Sequence, residues 1–391
     1  MNQAGTEAIL SQAVEAMGRR DGAAARRLLG SLAPEAINPG NLFLLAQACR
    51  MEGDEAAEAS AIDRLLRAQP LHLGALLMKG AALARTGDED GAMAPYQAAV
   101  SIAQQVRQRG ENLPPMLAAE VDRAAQWVGR HIAERAARID EALARSGFGP
   151  GSRSQRIDEA LGILRGDLPI QLQEPTSFYF PGLPQRSFYE REEFEWASAL
   201  EANTPAIKTE LEAMLAAQAE QFEPYVAADA DRSSGTAPNA HLAGSTSWSA
   251  YHLLKGGEPV EGHAEQFPAT LAALQGAPLT RIAGRAPMAL FSLLKPGAHI
   301  RPHHGLFNFR LICHLPLIVP PGCALRVGNQ ERQWREGELL IFDDSMEHEA
   351  RNQSDRQRII LLFEIWRPEI SEADREALTV LLEAANITAE D

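Results

Sequence analysis

Along residues 1–150 the apolar positions recur at helical spacing. Ala, Leu, Arg and Glu dominate, β-branched residues are scarce, and the interruptions fall at Gly-Asp pairs or at Pro. This pattern predicts one helix after another, including a long one over 117–144. Residues 147–154 are rich in glycine and mark a loop, and a further helix is expected over 156–164. From Leu168 onward Pro, Gly and aromatics become frequent. A helix is predicted from Pro205 to about Gln221, with Thr204 as its cap. After Pro287 the apolar runs shorten to strand length, at 288–294, 309–318, 324–327, 338–342 and 358–366. Turn residues separate them at Pro296-Gly297, Pro320-Pro321-Gly322 and Glu336-Gly337. Short strands at that spacing predict a sandwich or barrel of jelly-roll type.

The helical half carries an internal period. Gly53-Asp54 recurs 34 residues later as Gly87-Asp88, and a less regular unit around Asp21-Gly22 lies 31 residues before Gly53. Gly80, Leu83, Ala92, Tyr96 and Ala99 stand where a tetratricopeptide repeat places its small and apolar packing residues, and Pro70 closes the preceding unit in the same register. Two or three degenerate repeats of paired helices are the expectation, with a plain helical bundle as the alternative. The predicted division is therefore a tetratricopeptide-like solenoid at 1–150, a linker with a connecting helix at 151–167, and a β-rich domain with supporting helices at 168–391.

Charge sharpens that division. Residues 1–165 carry 19 Lys/Arg and 20 Asp/Glu, whereas 166–391 carry 18 and 32, so nearly all of the net −15 belongs to the second half. That half is a poor partner for nucleic acid. No run of apolar residues is long enough to span a bilayer. The first residues lack the basic start and apolar run of a secretory signal, and the three cysteines (Cys49, Cys313, Cys323) form no CxxC pair. A reducing, cytoplasmic setting is the expectation.

Eight of the ten histidines fall between His241 and His348. His303 follows a predicted strand and turn, His348 comes 45 residues later, and Arg358 opens an apolar strand ten residues beyond that. Two imidazoles on separate strands of a small barrel can converge on one divalent metal and leave coordination positions open. A guanidinium on a neighbouring strand can then hold a carboxylate. Strand parity places Arg310 and His314 on one face of 309–318, with Leu311, Cys313, Leu315 and Leu317 on the other. Arg358 precedes a run apolar on both faces and so needs an anionic partner. That partner is either an external anion or one of Glu364, Asp343 and Asp344.

Ser292, Pro296-Gly297, His299, Pro302-His303, Gly305, Asn308, Arg310-Leu311, His314-Leu315, Glu336-Gly337, Phe342-Asp343-Asp344-Ser345, Glu347-His348-Glu349 and Arg358 together resemble the aspartyl/asparaginyl β-hydroxylase family. The likeness is dense from Phe291 to Pro368 and weaker from Phe180 to Leu290. It implies a double-stranded β-helix and an oxygenase dependent on Fe(II), 2-oxoglutarate and O₂, releasing succinate and CO₂. It further implies His303 and His348 as catalytic iron ligands. Arg358 with Ser292 would clamp the distal carboxylate of 2-oxoglutarate, and His314, with Arg310 as a weaker candidate, would meet the iron-proximal one. Gly305 stands where most 2-oxoglutarate oxygenases carry a ligating carboxylate. Two departures bear on substrate: His304 replaces a small hydroxyl residue, and Ile312 replaces a second arginine of the animal peptide-hydroxylating members.

The implied acceptor is the β-carbon of Asp or Asn in a peptide or protein held along the repeats. A small molecule or lipid acyl chain is the alternative, and a non-catalytic repeat protein is a further one. Trp248 is read as substrate-side wall or core, and Arg281, Arg285 and Arg301 as receivers of an acidic substrate or as solvated surface.

Overall fold

The chain divides between Leu161 and Gly162, inside a helix rather than in the glycine-rich loop at 147–154 where the composition changes. The computed structural model describes residues 3–32, 36–218, 221–226 and 239–385. The first unit holds α1 (Gln3–Gly18), α2 (Gly22–Gly30), α3 (Pro39–Glu52), α4 (Glu55–Ala68), α5 (Leu73–Arg85), α6 (Glu89–Gln108) and α7 (Pro115–Arg145). Helix α8 (Gln155–Arg165) crosses the boundary.

The recurring Gly-Asp pairs of the sequence have one physical job. Gly53 and Gly87 adopt positive φ (81° and 80°) just after a helix, a conformation that costs glycine nothing. The aspartates that follow cap the next helix: Asp54 accepts from Ala57 N and Asp88 from Gly91 N, each at 2.9 Å. Asp21 does the same for Ala24 N ahead of α2. Each helix from α1 to α7 packs on its neighbour in the chain. A Cβ on Gly80 would stand 2.6 Å from the Tyr96 ring, so the small residue sets how closely α5 and α6 approach.

The second unit is built on two antiparallel sheets. Its elements are β1 (Phe188–Tyr189), α9 (Ala197–Ala202), α10 (Thr204–Gln218), β2 (Glu223–Pro224), β3 (Trp248–Lys255), β4 (Glu258–Pro259), α11 (Pro268–Leu274), β5 (Ala289–Leu294), β6 (His299–His303), β7 (Arg310–Ile318), β8 (Cys323–Val327), β9 (Gln330–Gln333), β10 (Leu340–Phe342), β11 (His348–Asn352), β12 (Arg358–Trp366) and α12 (Glu372–Ala385). The large sheet runs β1-β10-β7-β12-β5-β3-β2, with β4 on β3, and the small sheet runs β6-β11-β8-β9. This is the expected jelly-roll, cupin-like arrangement.

The large sheet is covered on both faces. Leu311, Cys313, Leu315, Leu317, Phe291, Leu361 and Phe363 face α9, α10 and α11 in one core. Ile312, Leu290, Leu294, Ile360 and Leu362 meet Ile300, Leu325, Val327 and Ala350 of the small sheet in another. That double burial is why β12 is buried along its whole length and, apart from Arg358 and Glu364, apolar on both faces instead of alternating.

Three expectations are corrected or refined in detail. Thr204 does not cap α10: the helix starts on that residue, its Oγ1 is buried without a partner, and residues 219–220 lie outside the described residues. His303 does come after a strand, β5, and its turn, but it stands at the end of a further strand, β6. The strands holding both histidines, β6 and β11, were not among the predicted runs, because charged residues interrupt them.

Asp343 organises the turn between β10 and β11. It accepts from Arg367 Nη1 (2.7 Å), Gln173 Nε2 (2.6 Å), Ser345 N (3.0 Å) and Ser345 Oγ (2.5 Å). Both Arg367 and Asp343 are fully buried, and Arg367 also donates to the carbonyls of Asn308 and Pro184. Removing one member of a buried pair strands the other, at a cost of about 3–5 kcal/mol. Arg367→Met is expected to lower the stability of the second unit by that amount. Urea denaturation followed by tryptophan emission checks it, since four of the five tryptophans lie in this unit.

Candidate active site

Between the two sheets, polar side chains of β6, β11, β5, β7 and β12 face inward among the apolar ones. His303 and His348 are cross-strand partners on β6 and β11, with ring centroids 4.1 Å apart. In each ring Nδ1 lies against a backbone carbonyl: Arg301 O at 2.8 Å for His303 and Met346 O at 3.1 Å for His348. A carbonyl only accepts, so each Nδ1 carries the proton and each Nε2 keeps its lone pair. Burial lowers the His303 pKa and, with the neighbouring His303 ring, holds His348 well below the ordinary imidazole range. The result is two neutral nitrogen donors on adjacent strands.

Among the described residues no third protein donor joins them: no group of three or more His, Cys, Asp or Glu side chains is placed to hold a metal. At Gly305 a Cβ would stand 2.1 Å from Asp344 Oδ2 and 3.0 Å from the Asp344 carbonyl, so that position has no room for a carboxylate. His304 turns toward Glu174 instead, at 3.9 Å. The pair fits a divalent metal whose remaining positions are filled from outside the protein.

On the large sheet the parity is as expected. Ser292, Arg310, His314 and Arg358 share the inner-face register with Leu290, Ile312 and Ile360. The two arginines meet opposite fates. Arg310 is paired with Glu364 and lies 3.4 Å from Asp344, and the two carboxylates raise its pKa despite burial. Arg358 is 1% exposed and pairs with no carboxylate among the described residues; Asp343 is taken by Arg367, and Glu364 by Arg310. Its Nη1 reaches the Ser292 carbonyl at 3.4 Å, its Nε has no partner, and its guanidinium lies 4.9 Å from the centre of the Trp334 ring. Burial pulls its pKa down to about 10, so it stays charged at neutral pH.

Tryptophans close two sides of this space. Trp334 Nε1 donates to His314 Nδ1 (3.2 Å), and Trp248 Nε1 donates to Ser292 Oγ (3.3 Å). Trp248 also stacks on Tyr225, and its ring centroid lies 6.3 Å from that of His303. Arg281 and Arg301 are exposed, and the Arg301 carbonyl holds His303.

The aspartyl/asparaginyl beta-hydroxylase family model matches residues 201–368, which carry all of these groups. The second unit belongs to that family. Among known proteins this unit is similar to the ornithine lipid ester-linked acyl 2-hydroxylase of Rhizobium tropici, 37% identical over 199 residues that cover 50% of this chain and 66% of the relative. It is 36% identical to the aspartyl/asparaginyl beta-hydroxylase of Mus musculus over 135 residues, 34% of this chain and 18% of the relative. It is 31% identical to the human aspartate beta-hydroxylase domain-containing protein 2 over 212 residues, 53% and 54% of the two chains. In each case the match spans less than two thirds of the relative's own length. A cupin barrel protein from Salinispora arenicola aligns over 34% of this chain and 84% of its own at TM-score 0.21 and 13% identity; the strand order, not that alignment, defines the fold here.

Sequence reading of the second unit missed Trp334, whose signal was an aromatic between polar neighbours just ahead of the Glu336-Gly337 turn. It also missed Arg367, the true partner of Asp343.

The lowered imidazole pKa values fix a sign for metal affinity. Acid competes with a metal only when it protonates the ligands, so depressed values extend binding to lower pH. Two ordinary imidazoles would lose about fourfold in affinity from about pH 8 to about pH 6.5. Here the loss is expected to be smaller than that, as Mn(II) titration by calorimetry can check.

Proposed function

We propose that the second unit is an Fe(II)- and 2-oxoglutarate-dependent hydroxylase. The observation that carries this reading is Arg358, a buried guanidinium without a carboxylate in a space that also holds two neutral imidazoles. A cation in that state calls for an anion from outside the chain. The iron, when bound, supplies the oxidising chemistry, in which 2-oxoglutarate and O₂ yield succinate and CO₂ while one oxygen atom enters a substrate C–H bond. His303 and His348 would hold the metal through Nε2. Arg358 and the Ser292 hydroxyl would hold one carboxylate of 2-oxoglutarate, and His314 would donate to the other. Phe342, whose ring lies 4.8 Å from His314 and 5.8 Å from His348, supplies an apolar wall that keeps bulk water from the reacting groups.

The acceptor is proposed as a methylene beside a carbonyl, first of all the β-carbon of Asp or Asn in a peptide, with the helical unit offering the peptide-binding surface of a repeat protein. The β-carbon of these residues and the 2-position of an acyl chain are alike in this respect, which ties together the activities named for the relatives. Ile312 favours a second reading. It is buried and apolar, and Arg310 in the same strand is already balanced by two carboxylates. Among the described residues this wall offers a substrate carboxylate no free cation besides Arg358, which the co-substrate would occupy. A neutral acceptor, an asparaginyl amide or an ester-linked acyl chain, suits it better than an aspartyl carboxylate.

Succinate release from the full chain is expected with Fe(II), and His348→Ala should abolish it. Arg358→Gln should raise the 2-oxoglutarate requirement tenfold to a hundredfold, on the order of one charge-assisted hydrogen bond or more. A panel of Asp peptides, Asn peptides and acyl esters is expected to turn over best with the neutral acceptors. Absence of succinate above the His348→Ala background across the panel would overturn the hydroxylase reading, and a preference for Asp peptides would overturn the neutral-acceptor one.

A further inference from the structure

His314 and Arg358 sit on different strands, β7 and β12, and one residue outside both strands touches the two of them. Trp334, 4% exposed, follows β9 and enters the space between the sheets. Its indole N–H is 3.2 Å from His314 Nδ1, and its ring lies beneath the Arg358 guanidinium at 4.9 Å.

The chemistry of the first contact is unambiguous. An indole N–H only donates, so His314 Nδ1 must be unprotonated. Neutral imidazole has one proton to place, and it falls on Nε2. That N–H finds no partner among the described residues. Without Trp334, His314 could put its proton on Nδ1 and present a lone pair, which repels a carboxylate, in place of a donor. The second contact acts on the other end. An aromatic face attracts a guanidinium without neutralising it, so the ring holds Arg358 in place and leaves its N–H groups unspent. A carboxylate in the same position would hold Arg358 equally well and consume the charge.

We propose that Trp334 is a positioning residue of the dicarboxylate pocket: its N–H makes His314 a fixed Nε2–H donor, and its ring seats Arg358 as an unpaired cation. The inference rests on the 2-oxoglutarate reading of this pocket. It differs from that reading in assigning the polarity of the pocket to a residue that need not contact the ligand through any hydrogen bond.

The test uses the full-length chain, metal-free and ¹⁵N-labelled at histidine, with the His314 signals assigned by their loss in His314→Gln. Wild type is expected to show protonated Nε2 and unprotonated Nδ1 for His314 between about pH 6 and pH 8. In Trp334→Phe, which keeps a ring and deletes the donor, part of the population should move to the Nδ1–H form. Anaerobic calorimetry with Fe(II) and 2-oxoglutarate should show affinity about tenfold weaker, the loss expected when one hydrogen bond to a charged group is compromised. Trp334→Leu, lacking the ring as well, should lose more. An Nδ1–H signal for His314 in wild type overturns the inference without any variant. So does Trp334→Phe with both tautomer and affinity unchanged. A wild-type chain that shows the Nε2–H signal but binds no 2-oxoglutarate would overturn the co-substrate reading and leave the Trp334–His314 lock supported.

Discussion

A sheet covered on both faces cannot leave a charge to water, and that constraint organises the second unit. Helices cover one face of the large sheet and the small sheet covers the other. Every buried ionised group on its central strands must find a counter-charge within the protein or take one from a ligand. Arg310 finds Glu364 and Asp344. Arg367, just past the end of β12, finds Asp343. Among the described residues Arg358 has only an aromatic face and a distant carbonyl. The same rule that makes the first two arginines structural marks the third as a binding group.

The satisfied pairs serve the unsatisfied one. Asp343 fixes the turn that leads from β10 into β11, and His348 opens β11. Asp344, next along, packs its side chain into the space a Cβ at position 305 would need, two residues from His303. Burial raises the Asp344 pKa to about 6, with Arg310 acting against that rise. The turn thus reaches both histidine-bearing strands, one through the backbone and one by steric contact.

Much of this was legible in the sequence, and what was legible was periodic. Period two in 309–318 sorted Arg310 and His314 from Leu311, Cys313, Leu315 and Leu317, and the two cores sort them the same way. The 34-residue recurrence of Gly-Asp marked a left-handed glycine and a capping aspartate, both local in the chain. The family likeness named the second unit. Pairings between residues far apart in the chain were not legible. Nothing in the order of residues says that Glu364 goes to Arg310 and Asp343 to Arg367, leaving Arg358 bare, because strand order decides it. Strands β6 and β11 escaped notice because their outer faces carry His299, Glu349 and Arg351, which break the apolar run. Trp334 lies outside any strand, and its contacts exist only once the two sheets close.

The crowding at Gly305 also limits how this site can change through mutation. A single substitution to aspartate or glutamate places its Cβ against the Asp344 side chain, so a third acidic ligand requires Asp344 to move aside. Shrinking Asp344 first would open the room but strip Arg310 of one of its two counter-charges. The two positions are therefore epistatic. The number of protein donors at the site is tied to the charge balance of a neighbouring cluster, and a lineage that begins with two histidines here meets a barrier on any path toward three ligands.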